Sequence, residues 1–256
     1  IIISFFCLFW FYVLFINATR SNGELQAGFT AVPSTHLFDN WNNLLHGTLP
    51  VIKGLVNSLI ISSLSAVLTV YFSTMTAYAI HAYDFRLKKY IYTFILAVMM
   101  IPTQVTALGF IRLMRSMNLM DSFIPLIVPA VAAPITFFYM KQYMESTLSI
   151  EMIEAARIDG AREFRIFNTI IMPIMKPAVA TQAIFQFIAQ WNNLFTPTIL
   201  LTTDSKKTLP MFVQLLSSNQ FRTDYGVVYV GLFVTIIPLV VVYLVLSKYI
   251  VAGGAL

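Results

Sequence analysis

A chain of 256 residues that is 58% hydrophobic and only 11% charged, with a mean hydropathy of +0.78, belongs to the membrane class, since an ordinary soluble domain carries about 25% charged residues. Its net charge of +5 does not imply a nucleic-acid partner, because Lys and Arg are dispersed through loops where lipid headgroups would meet them. A single cysteine, Cys7, excludes an internal disulfide and a Cys-rich metal site, and no GxxxxGK[ST] phosphate loop is present.

Taken in chain order, charge-free windows mark six expected bilayer crossings in an all-α fold, because roughly 20 apolar residues span the hydrocarbon core. They are Ile1 to Thr19, Gly54 to Ile80, Tyr90 to Ile111, Ser122 to Met140, Pro177 to Thr203 and Tyr225 to Ser247. The first resembles a signal peptide in length but lacks a basic leader and a small-residue cleavage site, so it reads as a membrane helix with its start missing. Residues 20–52 read as an irregular extracytoplasmic loop with one short helix, and 204–224 as a second outer loop. Residues 53–248 form the core and 249–256 a short tail. His36, His46 and His81 show no ligand spacing. With the connections after spans two and four inside, nine Lys or Arg lie inside and seven outside, a weak vote for that orientation.

Within residues 145–176 lies the stretch EAARIDGAREFRIFNTIIMPIMKP, too charged to cross lipid. Ser149 is a candidate N-cap, with Glu151 in the first turn against the helix dipole. A helix then runs through Ala155 and Ala156 to Ile158, and Gly160 supplies a left-handed stop after Asp159. A second helix is expected from Ala161 to Ile171, ending before Pro173. The first helix is apolar around most of its circumference, so it wants a protein socket. Glu154 and Arg157 at the rim are expected to set register through charge-assisted bonds, and Ala155, Ala156 and Gly160 to permit close backbone approach.

Glu154-Ala155-Ala156, then Gly160, then Ile171-Met172-Pro173 resembles the EAA signature of binding-protein-dependent ABC importer permeases. The longer pattern, with Arg157, Asp159, Ala161 and Phe164, is similar to the MalG-like carbohydrate-uptake branch. The six windows and QWNNLF near the end of the fifth extend the resemblance over the whole chain, and Met172 departs from the usual Leu without changing volume. The resemblance implies a cytoplasmic coupling helix between spans four and five, and a transport subunit without catalytic or metal-binding residues. It also implies a MalF-like second permease, two ABC ATPase subunits that bind ATP and magnesium, and an extracytoplasmic sugar-binding protein.

Two windows carry polar rows. Ser58, Ser62, Ser65, Thr69, Ser73 and Thr76 follow helical spacing in the second, a pattern that usually permits close helix packing. In the fifth, Gln182, Gln186, Gln190 and Asn193 share one face, with Trp191 and Phe185 nearby. Amides on one face are costly against lipid, so this face lines a cavity for a neutral, hydroxyl-rich solute or bonds to a neighbouring helix. Prolines 125, 129, 134 and 197 are expected to bend their helices. The alternatives are an importer permease for another small solute, such as an amino acid or peptide, and a secondary transporter. The latter would need intramembrane ionisable relays, and none of the windows holds an Asp, Glu, Lys or Arg.

Overall fold

A computed structural model describes residues 2–218 and 223–253, with side chains left aside at 103, 104 and 251–253. Ile1, Arg222 and the last three residues of the expected tail lie outside the described residues. Among the described residues every regular element is helical.

Besides two 3₁₀ turns and one π turn, the described residues hold fifteen α-helices. They are α1 (Ile2–Ala18), α2 (Asn22–Gln26), α3 (Leu37–His46), α4 (Val51–Ala82), α5 (Lys88–Met99), α6 (Thr103–Ser116), α7 (Ile124–Ile127) and α8 (Pro134–Thr147). The second half holds α9 (Ile150–Ile158), α10 (Glu163–Ile166), α11 (Met172–Ile174), α12 (Lys176–Trp191), α13 (Phe195–Leu200), α14 (Leu209–Ser217) and α15 (Tyr225–Gly253). Three described runs are long and apolar enough to cross a membrane: Val51–Ala82, Ile124–Thr147 and Tyr225–Ile250. A fourth is counted if Glu163–Ile174 and Lys176–Trp191, bent by 81°, act together. The third window is not one helix: it divides at Pro102, which has no N–H to continue α5, into segments of 12 and 14 residues. The fifth window divides after Trp191.

The chain forms two compact units. The first takes Ile1–Ile60 and Trp191–Val241. The loop after α1 is more ordered than its composition suggests, with two short helices. Ser21 and Glu24 form a reciprocal capping box on α2. Asn40 on α3, buried, donates to the carbonyls of Ala18 and Arg20 at 3.0 and 2.9 Å. The described part of the second long connection also folds: Leu209, Met211 and Phe212 of α14 are buried. The Leu209 N–H donates to Ser58 Oγ at 2.9 Å, and Asn57 holds the carbonyls of Ser205 and Lys207. Gly54 is required here, because a Cβ would strike the Phe212 ring.

The second unit takes Ile61–Gln190 and Val242–Leu256. Its core gathers Val70, Ala77 and Tyr78 of α4, Phe137 and Met144 of α8, Ile153 and Ala156 of α9, and Ile166 to Ala178 around α10–α12. The hydroxyl row of α4 packs: Ser62, Ser65, Thr69 and Ser73 are buried. Ser65 and Thr69 donate to the Leu126 and Ala130 carbonyls at 3.1 and 2.8 Å, which satisfies backbone freed where Pro129 and Pro134 interrupt the fourth window.

Candidate functional site

The charged hairpin is built as its residues dictate up to Gly160. The Ser149 hydroxyl accepts the Met152 N–H, and α9 runs from Ile150 to Ile158. Gly160 has φ +79°, with its N–H donating to the Arg157 carbonyl and the Ala161 N–H to the Ala156 carbonyl, each at 3.0 Å. These two bonds make a Schellman ending and satisfy orphan carbonyls of the last turn. A Cβ on Gly160 would meet nothing within 4 Å. Within this chain the position therefore demands glycine for its dihedral, and the open space beside it is on the exposed side of the hairpin.

Beyond Gly160 the structure departs from the expected helix. The chain is helical from Glu163 to Ile166, winds as a π turn from Phe167 to Ile171, and re-enters α-helix over Met172–Ile174. Pro173 sits at the start of that last piece, where its missing N–H costs little, so the helix does not end before it. The bend to α12 follows at Met175.

Arg157 also differs from its expected role at an open rim. Its Nε donates to Glu163 Oε1 at 2.7 Å, and its guanidinium lies 5.1 Å from the centroid of the Tyr83 ring. The Tyr78 hydroxyl, from α4, donates to the other Glu163 oxygen at 2.7 Å. The knot bolts α9 to α10 and to the end of α4. Hydrogen bonding from Arg157 holds the Glu163 carboxyl well below the usual carboxylate range, at about 2, and burial pushes the Tyr83 hydroxyl up. Glu163, Tyr78 and Tyr83 escaped the sequence reading because Glu163 is six residues from Arg157 across a turn, a separation that helical spacing does not pair.

Inward, Ile153, Ala156, Ile166 and Phe167 are buried. Outward, the hairpin presents Glu154, Ala155, Asp159 and Gly160 with two large apolar side chains, Ile158 at 86% and Phe164 at 68% exposure. Ala161 is half-buried and Pro173 exposed. The socket for one face of α9 is thus this chain itself, and the Ile158–Phe164 edge is left uncovered.

In the amide row Gln182 is buried and Gln186 half-buried, the latter donating to Thr136 Oγ1 on α8 at 2.9 Å. Gln190 is half-buried. In the other unit, Trp191 is 1% exposed and its indole N–H donates to the Thr235 carbonyl at 3.0 Å, so its ring packs within the chain and offers no open face. Asn193 Oδ1 accepts the Thr196 N–H at 3.2 Å and opens α13. Phe185, by contrast, is exposed. Among the described residues no cluster of three or more metal-ligating side chains occurs.

Residues 70–252 match the family described as binding-protein-dependent transport system inner membrane component. The arabinooligosaccharides transport system permease protein AraQ of Bacillus subtilis is 32% identical over 98% of this chain and 90% of its own length. The sn-glycerol-3-phosphate transport system permease protein UgpE of Yersinia pestis is 31% identical over 96% of this chain and 90% of its own. In fold, the chain matches a subunit of a bacterial ABC transporter involved in import of the acidic polysaccharide alginate, with a TM-score of 0.84, 24% identity and coverage of 97% and 92%.

Proposed function

The chain belongs to the binding-protein-dependent transport system inner membrane family, and from that premise we propose that it is the MalG-like permease subunit of an ABC importer for a sugar or oligosaccharide. Its partners are a MalF-like second permease, two cytoplasmic ATPase subunits that hold ATP and magnesium, and an extracytoplasmic sugar-binding protein. It lies in the bacterial inner membrane with the 145–176 loop facing the cytoplasm, between spans four and five of six. The six crossings need α5 and α6 to act together around Pro102, and α1 to cross alone. At 17 residues α1 reaches about 26 Å, close to a hydrocarbon core of about 30 Å.

One observation carries the coupling role: the hairpin is bolted to α4 by Arg157, Glu163 and Tyr78 and shares the core of α8 and α12, yet leaves Ile158 and Phe164 exposed beside Glu154. An ATPase that grips Glu154 to Ala161 and Phe164 moves those three helices together. Substrate then passes the α12 face holding Gln182, Gln186 and Gln190. The absence of any ionisable side chain from 177 to 203 suits a neutral sugar, in keeping with the arabinooligosaccharide relative. The relative named for sn-glycerol-3-phosphate motivates a second reading, a small phosphorylated solute.

The test is ATP-dependent uptake into proteoliposomes holding the assembled importer, comparing arabino-oligosaccharides with glycerol 3-phosphate. Preference for the oligosaccharide supports the first reading, and preference for the phosphate ester replaces it with the second. Glu154→Lys should weaken co-purification of the ATPase subunits. Uptake that persists without nucleotide would remove the importer mechanism altogether.

A further inference from the structure

Where α4 turns into α5, the second unit forms an open-mouthed cavity of about 370 Å³. Four cations line it, Arg86, Lys88, Lys89 and Lys141, against one carboxylate, Asp84. Lys141 is fixed: it pairs with Glu145 and stands 4.7 Å over the Tyr92 ring, which also lines the cavity. Arg86, Lys88 and Lys89 pair with no carboxylate among the described residues. The two lysines also open α5, whose N-terminus has no side-chain cap, so the helix dipole adds to their positive potential. Charge of one sign gathered in a cleft focuses the local potential and draws an anion to it.

The surroundings say which anion. The cavity sits at the end of the 32-residue α4, and the side chains flanking it just before and along α5 are apolar and open: Leu87, Tyr90, Ile91 and Phe94 are all exposed. Aromatic and aliphatic side chains beside basic ones mark the headgroup level of a bilayer.

We propose that this cavity holds the phosphodiester of an anionic phospholipid, with the acyl chains laid along the Tyr90–Phe94 face of α5. The binding itself is independent of orientation; its assignment to the cytoplasmic leaflet rests on the proposed placement of the hairpin.

Native mass spectrometry of the purified full chain, exchanged with phosphatidylglycerol or with phosphatidylcholine of the same acyl chains, tests it. We expect one phosphatidylglycerol to be retained in preference to phosphatidylcholine. Removing a cation should weaken retention roughly fivefold, and Arg86→Ala, Lys88→Ala and Lys89→Ala together roughly 100-fold. Lys88→Arg with Lys89→Arg should retain the lipid, and Lys206→Ala with Lys207→Ala should change nothing. Equal retention of both lipids, or an unaffected triple variant of normal helix content, overturns the site. Inorganic phosphate bound to lipid-free protein as tightly as phosphatidylglycerol assigns the cavity to the free anion and overturns the lipid. Failed ATP-driven uptake by wild-type importer would sink the transport reading while leaving this lipid preference in place.

Discussion

Gly160 and Glu163 show how single residues set the hairpin. At φ +79° an L side chain pays about 1–2 kcal/mol in left-handed strain, while asparagine tolerates that region better. With open space around the Cβ position, the expected order of ATP-coupled uptake is glycine, then Gly160→Asn, then Gly160→Ala, then Gly160→Val. Equal activity of the Asn and Val variants would contradict a dihedral role. Glu163 makes the hairpin acid-sensitive in one direction only. Its folded pKa of about 2 lies below the ordinary value of 4.5, so the Arg157 pairing stabilises fully above about pH 4.5 and is lost as pH falls towards 2. Hydrogen exchange over residues 150–167 should therefore be unchanged between pH 7 and 5 after rate correction, and faster at pH 3. Glu163→Gln should lose that acid step at a cost of about 1 kcal/mol at neutral pH, since both side chains are partly exposed.

At the scale of elements, α12 and the segment before it separate local rules from context. Proline punctuation located the breaks near Pro129 and Pro134 but misjudged Pro173, because a π turn over Phe167–Ile171 lets the helix resume at a point where proline is tolerated. The amide spacing on α12 was legible and left two uses open, a solute or a neighbouring helix; at Gln186 the structure shows a bond to Thr136 on α8. A double-mutant cycle of Gln186→Ala and Thr136→Val, followed by thermal unfolding in detergent, should give a coupling of about 0.5–1.5 kcal/mol. Additive effects would free Gln186 for a solute. The hydroxyl row on α4 reached its packing role for the same reason, since Ser65 and Thr69 meet carbonyls left open by a broken neighbour.

For the whole molecule, the prediction concerns assembly. The hairpin's inner face is buried within the chain and its outer edge is not, so Ile158→Asp should leave the isolated chain's helix content and thermal unfolding unaltered. It should reduce co-purification of the ATPase subunits at least tenfold, because an apolar anchor at a contact centre carries most of the binding energy. Loss of fold in the isolated chain would instead place Ile158 in the core.

Composition and local pattern were enough to specify a helical membrane protein, the Ser149 cap and the Gly160 stop, because the cap and the stop each depend on residues within a turn or two of one another. The structure alone decided that Arg157 is tied down by Glu163 and Tyr78, that Trp191 is enclosed against Thr235, and that the third window divides at Pro102. It also gathered Arg86, Lys88, Lys89 and Lys141 around one cavity. Apolar windows record how much chain lipid can accept. Which polar groups face one another depends on contacts between distant segments, 85 residues apart for Tyr78 and Glu163 and 151 for Ser58 and Leu209, and no local period encodes those.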